Sequence, residues 1–119
     1  MSRVNLDGVR MFVSSTASNG VVDSRTEIVF SQRGPRVIGR YAGGRIQRGV
    51  LVGVISGEVL TFRYVQVEAT REIHGGRSTG EITRTLEGRL RVVEQFEWTT
   101  RDGSGTNVFD ELPAPVPPV

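Results

Sequence analysis

Glu94 stands in the run Leu90-Arg91-Val92-Val93-Glu94-Gln95-Phe96-Glu97-Trp98. In an extended strand, alternation puts Leu90, Val92, Glu94, Phe96 and Trp98 on one face. Glu94 is the single charge on that face. A carboxyl among apolar and aromatic side chains holds its proton more tightly, because burial disfavours the charged form. That suits a buried hydrogen-bonding anchor, or a general acid/base working near neutral pH. Tyr64 and Gln66 share a face in the run Leu60 to Gln66. They would supply hydrogen bonds to a polarised oxygen, with Phe96 and Trp98 as a stacking wall. The candidate ligand-binding set is Tyr41, Gln47, Tyr64, Gln66, Glu94, Phe96 and Trp98, and Glu94 and Tyr64 are the candidates for catalysis.

Other chemistries are excluded by absence. The 119-residue chain has no Cys, which removes disulfides, thiolate nucleophiles and cysteine-bound zinc. Its one His, His74, cannot build a multi-histidine metal site, and no metal or cofactor is expected. All 15 basic residues are Arg, so no lysine amine is present to form a Schiff base. The pI near 9.9 reflects the high pKa of Arg, since the net charge is only +2. Arg and Glu alternate along the same segments, which reads as a solvated, salt-bridged face and not as a basic stripe for nucleic acid.

Length and composition set one domain, with 37% hydrophobic and 24% charged residues. No apolar run approaches the roughly 20 residues of a membrane-spanning helix. The opening MSRVNLDGVR carries no apolar signal core, so the expectation is a cytoplasmic protein with no membrane partner.

The elements that must position these residues are strands. With 15 Gly spread along the chain, no long amphipathic helix has room. Turn signals at 19–20, 34–35, 42–44, 56–57, 74–76, 87–88 and 102–105 separate runs rich in Val, Ile, Thr, Phe and Tyr. They predict strands at about 9–17, 22–32, 36–41, 45–55, 58–70, 76–85, 89–100 and 106–112. Short connections make sequence neighbours pair as antiparallel hairpins. The predicted fold is all-β: a single eight-stranded antiparallel up-and-down meander barrel. Residues 1–8 would form an N-terminal arm, 9–112 the barrel, and 113–119, PAPVPPV, a disordered proline-rich tail.

Hairpin registers then assign an interior. A loop at Ser56-Gly57 pairs Gly53 with Leu60, Leu51 with Phe62, Gly49 with Tyr64 and Gln47 with Gln66. The Asn19-Gly20 hairpin pairs Met11 with Ile28, Val13 with Thr26 and Ser15 with Ser24. Gly34-Pro35 sets Phe30 against Gly39 and Ile28 against Tyr41. A loop at 86–88 sets Leu90 against Arg84, Val92 against Ile82, Glu94 against Gly80 and Phe96 against Ser78. Several large inward side chains thus face glycine, which gives curvature and large–small packing, or room for a ligand. Gln66 and Glu94 are expected to meet across Gly80. One end, with Ser15, Ser24, Tyr41, Gln47, Gln66, Glu68 and Trp98, reads as a mouth. The other, with Phe30, Val37, Leu51, Leu60, Phe62, Leu90 and Val92, and with Gln32 and Arg84 as exceptions, reads as an apolar floor. Outside, Ile38, Ile46, Val50, Val52 and Val54 form an apolar band that suits a homodimer interface.

Tyr41-Ala42-Gly43-Gly44-Arg45-Ile46 running into Gly49 to Gly53, with Phe62-Arg63-Tyr64 and Gly88 to Trp98, resembles a family of short bacterial all-β proteins labelled N-acetylglutamate synthase. The likeness covers roughly residues 10–112 and implies Tyr64, Glu94 and Trp98 as characteristic positions. An acetyl-CoA acyltransferase cradles the pyrophosphate at a helix N-terminus, and this chain offers no candidate helix. More loosely, the layout is similar to avidin-like and lipocalin-like ligand-binding barrels. The leading functional expectation is therefore a barrel binding a small, partly apolar organic molecule. A small isomerase, cyclase or lyase using Glu94, and a protein-interaction barrel with a filled core, stand as alternatives. His74 is placed in a turn with no role beyond solvation.

Overall fold

The computed structural model describes residues 4–113. Eight strands run in order: β1 (Arg10–Ser15), β2 (Glu27–Arg33), β3 (Arg36–Gly43), β4 (Ile46–Ser56), β5 (Val59–Glu68), β6 (Ile73–Arg84), β7 (Leu90–Trp98) and β8 (Ser104–Glu111). Each pairs antiparallel with its sequence neighbour, and β1 pairs with β8 to close the barrel. Closure removes the unpaired edge that an open meander would present. The expected tail beyond Pro113 lies outside the described residues.

Inward positions alternate cleanly along the central strands. Val37, Gly39 and Tyr41 are buried on β3, and Leu90, Val92, Glu94, Phe96 and Trp98 on β7. Phe30↔Gly39 and Ile28↔Tyr41 pair across β2 and β3, and Glu94↔Gly80 and Phe96↔Ser78 across β6 and β7. These registers are the ones the turns predict.

Three expectations need correction. The β4–β5 loop is Gly57-Glu58, so Gly53 pairs with Phe62, Leu51 with Tyr64 and Gly49 with Gln66. A two-residue hairpin loop that follows strand twist takes its glycine first when only that position has positive φ, and Gly57 has φ 60°. The slip is two residues, so every side chain keeps its face. Second, Gln47 is an extra residue in β4: the register jumps between Ile46 and Arg48 against β5. The bulge leaves Gln47 exposed and turns Ile46 inward, 2% exposed, so Ile46 leaves the outer apolar band. Third, Asn19-Gly20 does not close a tight hairpin. The Met11↔Ile28 pair holds, but residues 16–26 form a long loop in which Ser24 is exposed, and Ser15 at the strand end is exposed too. Thr26 is buried without a strand partner; its hydroxyl donates to the Gly43 carbonyl at 3.1 Å.

The floor is sealed by apolar side chains and by the N-terminal segment. Leu6 is fully buried beside Phe30, Val37, Leu60, Ile82 and Leu90 in one core. The Leu6 backbone N–H donates to Gln32 Oε1 at 2.8 Å, and the Gln32 N–H donates to Asp7 Oδ1 at 3.0 Å. These bonds satisfy Gln32, one of the two polar residues the sequence aims at the floor. Arg84, the other expected exception, is exposed, with its guanidinium donating to the Gly88 carbonyl.

Candidate functional site

Above the floor the barrel keeps open space. A small cavity of about 40 Å³ accessible volume runs toward the 16–26 loop. Its walls include Tyr41, Phe62, Tyr64, Gln66, Glu94, Phe96, Trp98 and Asn107, and Gly20, Val21 and Val22 of the loop border it. Six of the seven candidate ligand-binding residues therefore converge on one cavity; Gln47 does not.

Strand-borne glycines give the rings their places. A Cβ at Gly49 would overlap the Tyr41 ring, one at Gly76 would overlap the Tyr64 hydroxyl, and one at Gly105 would lie 2.9 Å from the Phe96 ring. The aromatic side chains lie against these bare stretches of backbone instead of filling the lumen. Their rings contact one another: centroids are 5.5 Å apart for Tyr64–Trp98, 5.8 Å for Phe96–Trp98 and 6.4 Å for Phe62–Tyr64. The Tyr64–Trp98 and Phe96–Trp98 contacts are edge-to-face, the geometry favoured by ring quadrupoles.

Glu94 is 5% exposed. Ser78 Oγ donates to its Oε2 at 2.5 Å, and Asn107 Nδ2 donates to its Oε1 at 3.0 Å. Thr16 in turn donates to Asn107 Oδ1 at 2.7 Å, which fixes the amide with its NH₂ toward Glu94. Burial pushes the Glu94 carboxyl up, against the weaker lowering effect of the two hydrogen bonds. No basic side chain bonds to Glu94 among the described residues. The expected approach to Gln66 does not occur, because Gly80 pairs with Leu60 on β5 while Gln66 sits opposite His74, nearer the mouth.

Gln66 belongs to a second network. Tyr41 Oη donates to Gln66 Oε1 at 2.8 Å, and Gln66 Nε2 donates to Glu68 Oε2 at 2.8 Å. Glu68 closes the chain in an ion pair with Arg101, whose guanidinium also lies 3.9 Å above the Trp98 ring. The mouth is thus bound by a carboxylate, a guanidinium and an indole held together. Burial raises the phenols of Tyr41 and Tyr64 far above their ordinary range, so both stay neutral.

Tyr64 differs from Tyr41. Its hydroxyl oxygen is buried and has no hydrogen-bond partner. His74 lies in β6 and not in a turn, half-buried, with Nδ1 2.8 Å from Thr100 Oγ1 and Nε2 3.3 Å from Glu72 Oε1. Glu68, Glu72 and His74 bring ligand atoms within 4.8 Å of one another, but Arg101 and Gln66 already engage the Glu68 carboxylate.

Sequence reasoning missed Ser78, Asn107, Val21 and Val22 as parts of the site. Asn107 was within reach, because it alternates with the apolar Phe109 on β8 and so points inward. Ser78 pairs with Phe96 as the register predicts, which already places it on the inward face. The two valines lie in a loop that no periodicity describes.

No helix of the described residues is long and apolar enough to cross a membrane. No curated protein and no solved structure matches the chain. The family model described as avidin-like protein matches residues 4–112, which contain the whole closed barrel. The chain belongs to the avidin-like protein family.

Proposed function

We propose that the lumen binds one small, partly apolar organic molecule, entering beside the 16–26 loop. The observation that carries this is the Tyr64 hydroxyl, buried on the cavity wall without a partner. An unsatisfied buried hydroxyl costs on the order of 1–3 kcal/mol, and native structures keep few of them. A ligand acceptor at Tyr64 would recover that cost. Membership of the avidin-like family, whose barrels bind small molecules, supports the same reading. The accessible volume of about 40 Å³ lies well below the usual range for ligand pockets, so an occupant would have to displace side chains of the wall.

Tyr64→Phe tests the proposal. The ligand-free variant should be as stable as the wild type or up to about 1 kcal/mol more stable, because the unpartnered group is gone. Ligands selected from a fragment library by thermal shift should lose about tenfold in affinity, one hydrogen bond's worth. Unchanged affinity for every such ligand would remove Tyr64 from the site.

Glu94 favours a second reading, proton transfer on the bound molecule. Its carboxyl is pushed up by burial and lies on the wall of the same cavity. That suits general acid/base work. Turnover that Glu94→Gln abolishes without loss of ligand affinity would establish it. We propose also that the outer band of Ile38, Val50 and Val52 is covered by a second copy of the chain. Ile38 and Val52 are 38% and 59% exposed.

A further inference from the structure

Glu94 is the one carboxylate among the residues that line the cavity, and no Arg or His lines it with Glu94. Both carboxylate oxygens already accept a hydrogen bond from a neutral donor. Such a donor set steadies a carboxylate and leaves lone pairs for a further donor. A proton on Oε2 would point along the 2.5 Å contact to Ser78 Oγ and would not be offered to an incoming acceptor. Around this acid stand the rings of Tyr41, Phe62, Tyr64, Phe96 and Trp98. Ring faces carry negative potential and attract cations, most strongly when water is excluded. The outer side of this wall is already used in that way, by Arg101 at 3.9 Å from the Trp98 centroid.

We infer that the molecule held in the lumen carries a positively charged nitrogen, a primary ammonium or an amidinium, which pairs with Glu94 inside the ring of aromatic side chains. This rests on the lumen being a binding site and adds the charge of its ligand. A buried charge must be paired or neutralised. Burial favours the protonated form of Glu94 in the ligand-free barrel; on binding, the ligand cation takes the proton's place and the proton leaves to solvent. The groups facing Glu94 from the packed elements do not compete for this role. Ser78 and Gly80 face it from β6 and Asn107 from β8. Tyr41 and Tyr64 stay neutral, and Glu68 and Arg101 neutralise each other at the mouth.

The test titrates the whole chain with small amines and their neutral counterparts, benzylamine against benzyl alcohol and phenethylamine against phenethyl alcohol. Binding is read from the emission of Trp98, the single tryptophan. The amines should bind at least about tenfold more tightly than the alcohols at neutral pH. Below the raised pKa of Glu94, amine affinity should climb about tenfold per pH unit, and calorimetry in two buffers should show close to one proton released. Glu94→Gln should lower amine affinity about tenfold or more, abolish the pH dependence and leave the alcohols within about threefold. Alcohols binding as tightly as amines, or amine affinity that falls as pH rises, overturns the cation and leaves the binding lumen standing. No binding by either series overturns both.

Discussion

Replacing Glu94 by glutamine isolates the buried proton. The glutamine side chain fits the existing contacts: its carbonyl oxygen can accept from Asn107, and its amide can donate to Ser78 Oγ once that hydroxyl turns away. It mimics protonated Glu94 and cannot ionise. In the wild type, burial raises the Glu94 pKa in the folded state, so the fold holds this proton more tightly than the unfolded chain does. The associated stability is fully present below the ordinary glutamate pKa and is lost as pH rises through the folded value. Across that window the wild type should lose about a factor of ten in its folded-to-unfolded ratio per pH unit. For a chain of this size that is roughly 5 °C in Tm per unit. The variant should lack that slope, so it should gain on the wild type as pH rises and be the more stable protein at pH 8. Asp23, Glu72 and Asp110 are held below the usual carboxylate range by Arg25, His74 and Arg91 respectively. They contribute equally to both proteins and cancel in the difference. Urea titrations of the pair at each pH unit between 4 and 8 measure it. A difference flat with pH would mean burial does not bind a proton to Glu94. A difference moving in favour of the wild type as pH rises would mean Glu94 is held ionised, and the account of the lumen would fail.

Gly49→Ala should cost about 1–3 kcal/mol by denaturant titration, because the new methyl must displace the Tyr41 ring and with it the bond to Gln66; full stability would show that the ring is not held against this glycine. Arg101→Ala should cost about 2 kcal/mol, since Glu68, 8% exposed, loses its cation. Glu68→Gln should recover much of that loss, and additive single effects in the double-mutant cycle would deny the coupling. Light scattering at high micromolar concentration should give a dimer that Val52→Asp dissociates, and a monomeric wild type would leave the outer band without a partner copy.

The strand order, the faces and most of the cavity wall were legible because period-two alternation and turn chemistry act locally. Gly34-Pro35 fixed the β2–β3 register, since positive φ at the glycine and the fixed φ of proline suit the two loop positions in that order. The same rule applied to Gly57 would have moved the β4–β5 loop by one residue and the register by two. Gln47 was illegible for another reason. A bulge is set by how β4 meets both β3 and β5, and nothing within Arg45-Ile46-Gln47-Arg48 records it. The 16–26 loop was misread because Asn19-Gly20 is a strong local hairpin signal. There, tertiary contacts won: Arg45 donates to the Gly20 carbonyl at 3.0 Å, and Thr26 bonds to Gly43. The hydroxyl of Tyr64 could be assigned to the interior but not to its unpartnered state, which depends on distances to every neighbour.

The glycines that face large side chains do not divide into packing glycines and ligand glycines. Tyr41 lies on Gly49, Tyr64 on Gly76, Phe96 on Gly105 and Leu51 on Gly39, each across a registered pair. A barrel of eight strands has an interior that ordinary side chains would just fill. Moving each ring from the axis to the wall takes the place a Cβ would occupy and leaves space on the axis. One substitution pattern therefore sets curvature, ring placement and free space together. Gly80 follows the same logic beside Glu94. Its missing Cβ is covered by the Val92 methyl, 2.8 Å from where that Cβ would stand, and not by the carboxylate. Glu94 is free of that wall, and its carboxylate is turned to Ser78 and Asn107.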